Sequence, residues 1–319
     1  MKVSVLGCGR WGSFITWYLN RQGHQVTEWG RKGGKSFEIL KATGKNEYVE
    51  LDKSVRLTSD LKLAVNDTEL IVVSLLSQSL REVLTEVVAL GGGDKKLLIC
   101  MKGLEENSGK RLSEIAIDCG FNKDSVAVWL GPGHIQDFTS GKPNCMVIDA
   151  YNKDLTIYLA NTLRSDLIRF YYGDDIIGSE IGGAAKNVLG IAAGMLDGGG
   201  FSTLKGPLMA RGSREIGRLI KAMGGNELTA YGLCHLGDYE TTLFSEFSQN
   251  RKFGQAYIKG EKFLKSAEGV STAKALKLLG EKYGEELPIV NAVYSILYEN
   301  KNPMETFNTL FSRSSRKEF

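Results

Sequence analysis

Lys2-Val3-Ser4-Val5-Leu6-Gly7-Cys8-Gly9-Arg10-Trp11-Gly12 is the stretch whose reading decides the fold. An apolar run with strand character passes into G-x-G-x-x-G, and a helical pattern comes next in which Phe14, Ile15, Tyr18 and Leu19 share one face until Gly23. In that setting the three glycines play different parts. Gly7 permits the tight turn, Gly9 lets a pyrophosphate approach the backbone, and Gly12 lets helix pack against strand. The N–H groups at the helix start, with Arg10 and Trp11 in the first turn, offer partial positive charge to a phosphate. The stretch predicts a dinucleotide-binding turn between the first strand and the first helix.

Outward from it, short runs rich in Val, Ile and Leu alternate with helical patterns, as in a parallel sheet covered by helices on both faces. Strands are expected at residues 2–6, 25–29, 69–75, 96–101, 125–130, 145–150 and 168–172. Ser79 and Glu82 read as a capping box opening a helix whose Leu80, Val83, Leu84, Val87 and Val88 share a face, and Gly91-Gly92-Gly93 ends it. Beyond Gly173 the strand signal disappears, leaving helical patterns punctuated by Gly198-Gly199-Gly200 and Gly224-Gly225. The predicted fold class is α/β, with an N-terminal Rossmann doubly wound sheet over residues 1–175 and an all-helical C-terminal domain over residues 176–319. A chain of 319 residues is long enough for two such cores.

Hydrophobic residues at 42% and charged residues at 24% are globular proportions and exclude a disordered chain. The 40 basic and 37 acidic residues form no long basic run, so no nucleic-acid partner is expected, whereas a small anion is compatible. Cys8, Cys100, Cys119, Cys145 and Cys234 contain no Cys-x-x-Cys pair, which argues against a disulfide framework and a zinc site. A reducing cytoplasm fits, and the run from Lys2 to Leu6 lacks the marks of a signal peptide. The apolar stretch 181–196 contains Lys186 and Asn187 and is too short to cross a bilayer of about 30 Å, so it reads as a buried helix rather than a membrane segment.

Ligands of an open parallel sheet lie beyond the carboxyl ends of its strands, so the residues just past each strand are the candidates for contact. At the end of the second strand stands Glu28, with Arg31 and Lys32 just past it: an acid there can hold the adenosine ribose of NAD or face elsewhere, and the bases tilt the expectation toward NADP. After later strands come Ser74 to Gln78, then Lys102-Gly103-Leu104-Glu105, then Gly131-Pro132-Gly133-His134. Lys102 could polarise a carbonyl or hold a phosphate, or simply emerge into solvent; His134 reads as a surface histidine. Lys186 stands among Gly182, Gly183, Ala184, Ala185, Gly190 and Ala192, so it must snorkel outward or point into a cleft, where desolvation suits a lysine to proton transfer.

Together GCGRWG, LSQSLREV, KGLE, LGPG, IGGAAKNVLGIAAGMLDG, GLCHLGD, SQNRKFG, AEGVSTA and the terminal LFSRSSRKE resemble, in order and spacing, the bacterial NAD(P)-dependent glycerol-3-phosphate dehydrogenases over nearly the whole chain. The resemblance implies a Rossmann domain followed by a helical one, a homodimer, and interconversion of dihydroxyacetone phosphate and sn-glycerol 3-phosphate, which feeds phospholipid synthesis. It also implies residue roles. Lys186 is the proton donor and acceptor, Asp238 orients it or binds a substrate hydroxyl, and Lys102 serves both substrate and nicotinamide. Gly131, Asn187, Ser248, Gln249 and Asn250 fall at substrate positions, with Trp11, Arg31 and Glu268 at cofactor positions beside Gly7, Gly9, Arg10 and Gly12.

The chain departs from that pattern in several places. Gln249 stands where the family has arginine, Gly133 where it has serine, and Ile135 where it has alanine; Thr203-Leu204, before Arg211, is one residue short. Losing a hydrogen bond to a charged group costs about 1.5–3 kcal/mol, and Lys205, Arg251 or Lys252 could compensate. The implied chemistry is hydride transfer between NAD or NADP, with NADPH favoured, and the C2 carbonyl of a substrate lying between the domains. A related dehydrogenase of another hydroxy-acid phosphate and a non-catalytic NAD(P) sensor are the competing readings.

Overall fold

The computed structural model describes residues 1–314, so residues 315–318 of the terminal motif lie outside the described residues. The chain packs as two compact units, one of Met1–Lys102 and Lys110–Glu180, the other of Gly103–Gly109 with the described residues from Ile181 onward.

The first unit is built on eight strands, β1 Lys2–Leu6, β2 Gln25–Trp29, β3 Arg56–Thr58, β4 Leu70–Val73, β5 Lys96–Ile99, β6 Val126–Leu130, β7 Asn144–Ala150 and β8 Ile168–Tyr172, in the order β3-β2-β1-β4-β5-β6-β7-β8. Helices α1 Arg10–Arg21, α2 Lys35–Thr43, α3 Leu61–Asn66, α4 Leu80–Ala89, α5 Leu112–Asp118, α6 Ile135–Thr139 and α7 Lys153–Leu163 connect them. Every residue of β4 and β6 is buried, as strands covered on both faces must be. The strand order reverses between β1 and β4, which creates a ligand crevice beyond their carboxyl ends.

Three expectations need correction. The sheet is not wholly parallel, because β7 runs antiparallel to β6. The connection between them carries only the five-residue α6, and a helix rising about 1.5 Å per residue is too short to run back along a strand. The chain therefore re-enters the sheet from the end it left. β3 went unread because Arg56-Leu57-Thr58 is three residues long with one large apolar side chain. Ser79 forms no capping box: a 3₁₀ turn, Ser77–Ser79, runs directly into α4, so Ser79 has helical angles and its side chain accepts no cap hydrogen bond. An N-cap serine needs extended backbone to reach back to the first turn.

The second unit is helical, with most of α8 Ile176–Gly198, then α9 Lys205–Ala222, α10 Gln249–Ile258, α11 Gly269–Tyr283, α12 Pro288–Tyr298 and α13 Pro303–Phe311. Residues 181–196 are all buried. The reason for their small side chains is close helix packing: a Cβ on Gly194 would stand 1.9 Å from the Arg251 carbonyl oxygen, and one on Gly254 2.1 Å from that of Ile191. No described helix is long and apolar enough to cross a membrane.

Candidate active site

In the first unit the turn after β1 shows three glycines with three different constraints. Gly7 has φ +117°, and a Cβ there would stand 2.2 Å from the Ser74 carbonyl oxygen; one on Gly12 would stand 1.8 Å from the Gly7 oxygen. A Cβ on Gly9 would meet nothing within 4 Å. Nothing within the chain requires glycine there, and the open space lies at the N-terminus of α1, whose N-cap is Gly9 itself, with no side-chain cap and no acidic residue in its first turn. That combination of open space, exposed N–H groups and helix dipole fits a dinucleotide pyrophosphate.

Trp11 packs its half-buried ring on Phe14 (5.0 Å between centroids) and Phe138 (6.3 Å). Phe138 also explains Gly133, since a Cβ at that position would be driven to 2.3 Å from its ring. The glycine in place of serine is thus matched to a phenylalanine in this chain. Glu28 faces inward: it is wholly buried beneath α1 and accepts a hydrogen bond from Ser13 Oγ at 3.0 Å. Burial pushes its carboxyl up to about 8, and it cannot present an ionised acid to a ribose. Arg31 is exposed and pairs with Glu82 at 2.9 Å. His134 is half-buried, at the start of α6.

Lys102 and Gly131, which lie just past β5 and β6, are brought together, with the lysine Nζ donating to the Gly131 carbonyl oxygen at 2.6 Å. The lysine does not simply emerge into solvent.

In the second unit Lys186 points inward. Its Nζ lies 2.7 Å from Asp238 Oδ2 and donates to Thr242 Oγ1 at 2.8 Å, with the two charged side chains 8% and 0% exposed. Asp238 also accepts from Thr241 Oγ1, and its backbone carbonyl accepts from Thr242 Oγ1 at 2.8 Å. The two threonines were missed in the sequence, although their spacing of three and four residues after Asp238 places them in the same turn.

Asn187, next to Lys186, accepts from Asn250 Nδ2 at 3.0 Å, and Asn250 Oδ1 accepts from Gly269 N at 2.9 Å. Those bonds gather α8, α10 and the start of α11, where Glu268 is the N-cap. Ser248 caps α10, its Oγ accepting from Arg251 N at 3.3 Å. Gln249 donates to the Phe247 carbonyl at 3.2 Å and keeps a buried Oε1 with no hydrogen-bond partner. Of the residues that could compensate for its lost charge, Arg251 and Lys205 already have an acidic partner. Both are held by Asp197, at 2.6 and 3.0 Å.

A separate cavity of about 500 Å³ in the same unit is lined by Leu208, Arg211, Glu215, Ile289 and Phe307 among others, and by none of the residues just described.

The first unit provides a helix start open to an anion and a lysine on a carbonyl at the carboxyl edge of the sheet, and the second a desolvated ammonium held by a carboxylate. Family patterns described as NAD-dependent glycerol-3-phosphate dehydrogenase N-terminus and C-terminus match residues 2–156 and 175–308. The chain is 34% identical to glycerol-3-phosphate dehydrogenase [NAD(P)+] of Thermoanaerobacter sp. strain X514, covering all of this chain and 99% of that one. It is 35% identical to the enzyme of that name from Fusobacterium nucleatum subsp. nucleatum, covering all of this chain and 98% of that one. The crystal structure of glycerol-3-phosphate dehydrogenase from Coxiella burnetii superposes with a TM-score of 0.91 at 28% identity, over 98% of this chain and 99% of that one. This chain belongs to the NAD-dependent glycerol-3-phosphate dehydrogenase family.

Proposed function

We propose that the protein interconverts dihydroxyacetone phosphate and sn-glycerol 3-phosphate using NAD(H) or NADP(H), as a cytoplasmic homodimer that supplies glycerol 3-phosphate for phospholipid synthesis. The observation that carries the reading is the buried Lys186–Asp238 pair at 2.7 Å: taking two charges out of water is costly, and desolvated charge pairs cluster at functional sites.

When bound, the nicotinamide supplies the hydride. The Lys186 ammonium, paired with Asp238 and bonded to Thr242, gives a proton to the alkoxide developing at C2, and the amine takes it back in the reverse direction. Lys102 stabilises the negative charge on that oxygen, and losing such a donor costs about 2.7–4 kcal/mol. Gly131, Asn187, Ser248, Gln249 and Asn250 orient the phosphorylated substrate. Gly7, Gly9, Arg10, Trp11, Gly12, Arg31 and Glu268 hold the cofactor together with Lys102. In this division of labour residues 1–175 bind the dinucleotide and residues 176–319 carry proton transfer. Arg31 favours NADPH, because its bridge to Glu82 is exposed and such surface pairs are worth little against a bound phosphate.

The test is oxidation of NADH and NADPH with dihydroxyacetone phosphate, alongside unphosphorylated dihydroxyacetone. Turnover confined to the phosphorylated ketone supports the assignment. No turnover with either ketone by a folded protein that binds the cofactor would sink it.

A further inference from the structure

The turn that carries Asp238 is fastened by two side chains outside the machinery assigned above. His235, wholly buried, has Nδ1 2.8 Å from the Gly182 carbonyl oxygen and Nε2 2.6 Å from the Tyr239 hydroxyl. A carbonyl can only accept, so Nδ1 carries the proton and donates, while Nε2 accepts from the tyrosine hydroxyl. Burial lowers the imidazole to about 4, which leaves it neutral at neutral pH, as this arrangement requires. Tyr239 is equally buried, and its ring meets the imidazole edge-on at 4.8 Å.

Both ends of this pair reach the surroundings of Lys186. Gly182 lies one turn before Lys186 on α8, and helix geometry gives its carbonyl the N–H of Lys186 as the intrahelical donor. His235 therefore bonds the very peptide oxygen that holds the backbone of Lys186. The approach is close: a Cβ on Gly182 would stand 2.9 Å from His235 Cβ. On the other side Asp238 N donates to the His235 carbonyl at 3.0 Å, and Thr242 N donates to that of Tyr239 at 3.0 Å. His235 and Tyr239 thus flank Asp238 in the chain, and their backbones hold both partners of Lys186.

We propose that His235 and Tyr239 form a clamp of positioning residues that sets the Asp238 carboxylate and Thr242 hydroxyl against the Lys186 ammonium. The proposal rests on the reading of Lys186 as the proton-transfer group. A buried polar clamp adds little to stability, since replacing both partners of a buried hydrogen bond by apolar groups of like shape can be nearly neutral, though Ser213 Oγ, which donates to the Tyr239 hydroxyl at 3.4 Å, loses an acceptor. It is needed for geometry, because a misplacement of about 1 Å can cost on the order of a hundredfold in rate.

The experiment compares the parent protein with the double variant His235→Leu/Tyr239→Phe and the single variants Tyr239→Phe and His235→Asn. Melting temperature, cofactor affinity, kcat and KM for dihydroxyacetone phosphate are measured. So is the pH dependence of Lys186 labelling by an amine-reactive anhydride, read by mass spectrometry, which needs no activity. The double variant is expected to fold and bind cofactor as the parent does. Its kcat should fall about tenfold with KM within about twofold, and its Lys186 labelling midpoint should move by about half a pH unit, roughly a threefold change in the ammonium-to-amine ratio. His235→Asn, whose amide can still donate to the Gly182 carbonyl, should recover most of that loss. A folded double variant with the parent's kcat and labelling midpoint overturns the clamp. Should the double variant fail to fold, an unmoved midpoint and kcat in Tyr239→Phe overturn it equally. Absence of turnover in the parent sinks the functional reading alone, and the labelling midpoints still decide the clamp.

Discussion

Gly12 lies against Gly7 so closely that a Cβ on it would stand 1.8 Å from the Gly7 carbonyl oxygen, while a Cβ on Gly9, between them, would meet nothing within 4 Å. Gly12, like Gly7, is required by the chain's own packing. Gly9 is open toward whatever the turn holds.

The two positions therefore part under the same mutation. Gly12→Ala forces helix and turn apart and should destabilise by about 3 kcal/mol, visible as a lowered melting temperature. Gly9→Ala should melt like the parent and lose about tenfold in NADPH affinity, measured by fluorescence titration. Equal melting temperatures for the two variants would refute the distinction.

Lys186→Ala leaves the fully buried Asp238 without its cation. Breaking a buried pair from one side costs about 3–5 kcal/mol, so the variant should be less stable as well as slower by more than about a hundredfold. Lys186→Ala/Asp238→Asn should regain stability without regaining turnover. Chemical denaturation and steady-state rates separate the two effects; a single variant that turns over normally removes Lys186 from the mechanism.

Glu28 makes stability depend on pH. Its carboxyl is raised from 4.5 to about 8 by burial, so in that window the folded state holds a proton that the unfolded state has released. The stabilisation is complete below 4.5 and is lost as pH rises toward 8, at about 1.4 kcal/mol per pH unit. Glu28→Gln should make the curve shallower, with Glu215 still raised to about 7 by its own burial, and stabilise the protein at pH 8. Denaturant midpoints across this range check the sign, and a parent curve that rises through it contradicts the buried, protonated acid.

Gln249 tests the missing charge. Gln249→Arg should lower KM for dihydroxyacetone phosphate by about tenfold while leaving the unphosphorylated ketone unaffected, since hydrogen bonds to charged groups are worth about 1.5–3 kcal/mol. The selectivity ratio between the two ketones is the measurement. An unchanged ratio would place residue 249 away from the phosphate.

Periodicity alone fixed the strands at Lys2–Leu6, Gln25–Trp29 and Ile168–Tyr172, the helical second half, and the glycine turn, because alternation, helical faces and glycine requirements are local properties of the chain. The same local reasoning could not see β3, too short to carry a pattern, or the reversal of β7, which depends on how far α6 can reach. Nor could it choose for Glu28, whose inward direction is set by Ser13 on α1, or for Lys186, which might have reached solvent. The partners of Lys186 come from a turn more than fifty residues later in the sequence. Sequence supplies the identity of each ionisable group; only folding brings Asp238 and Thr242 onto one ammonium and sets the His235–Tyr239 pair beside their turn, because desolvation and hydrogen bonding act through space and not along the chain.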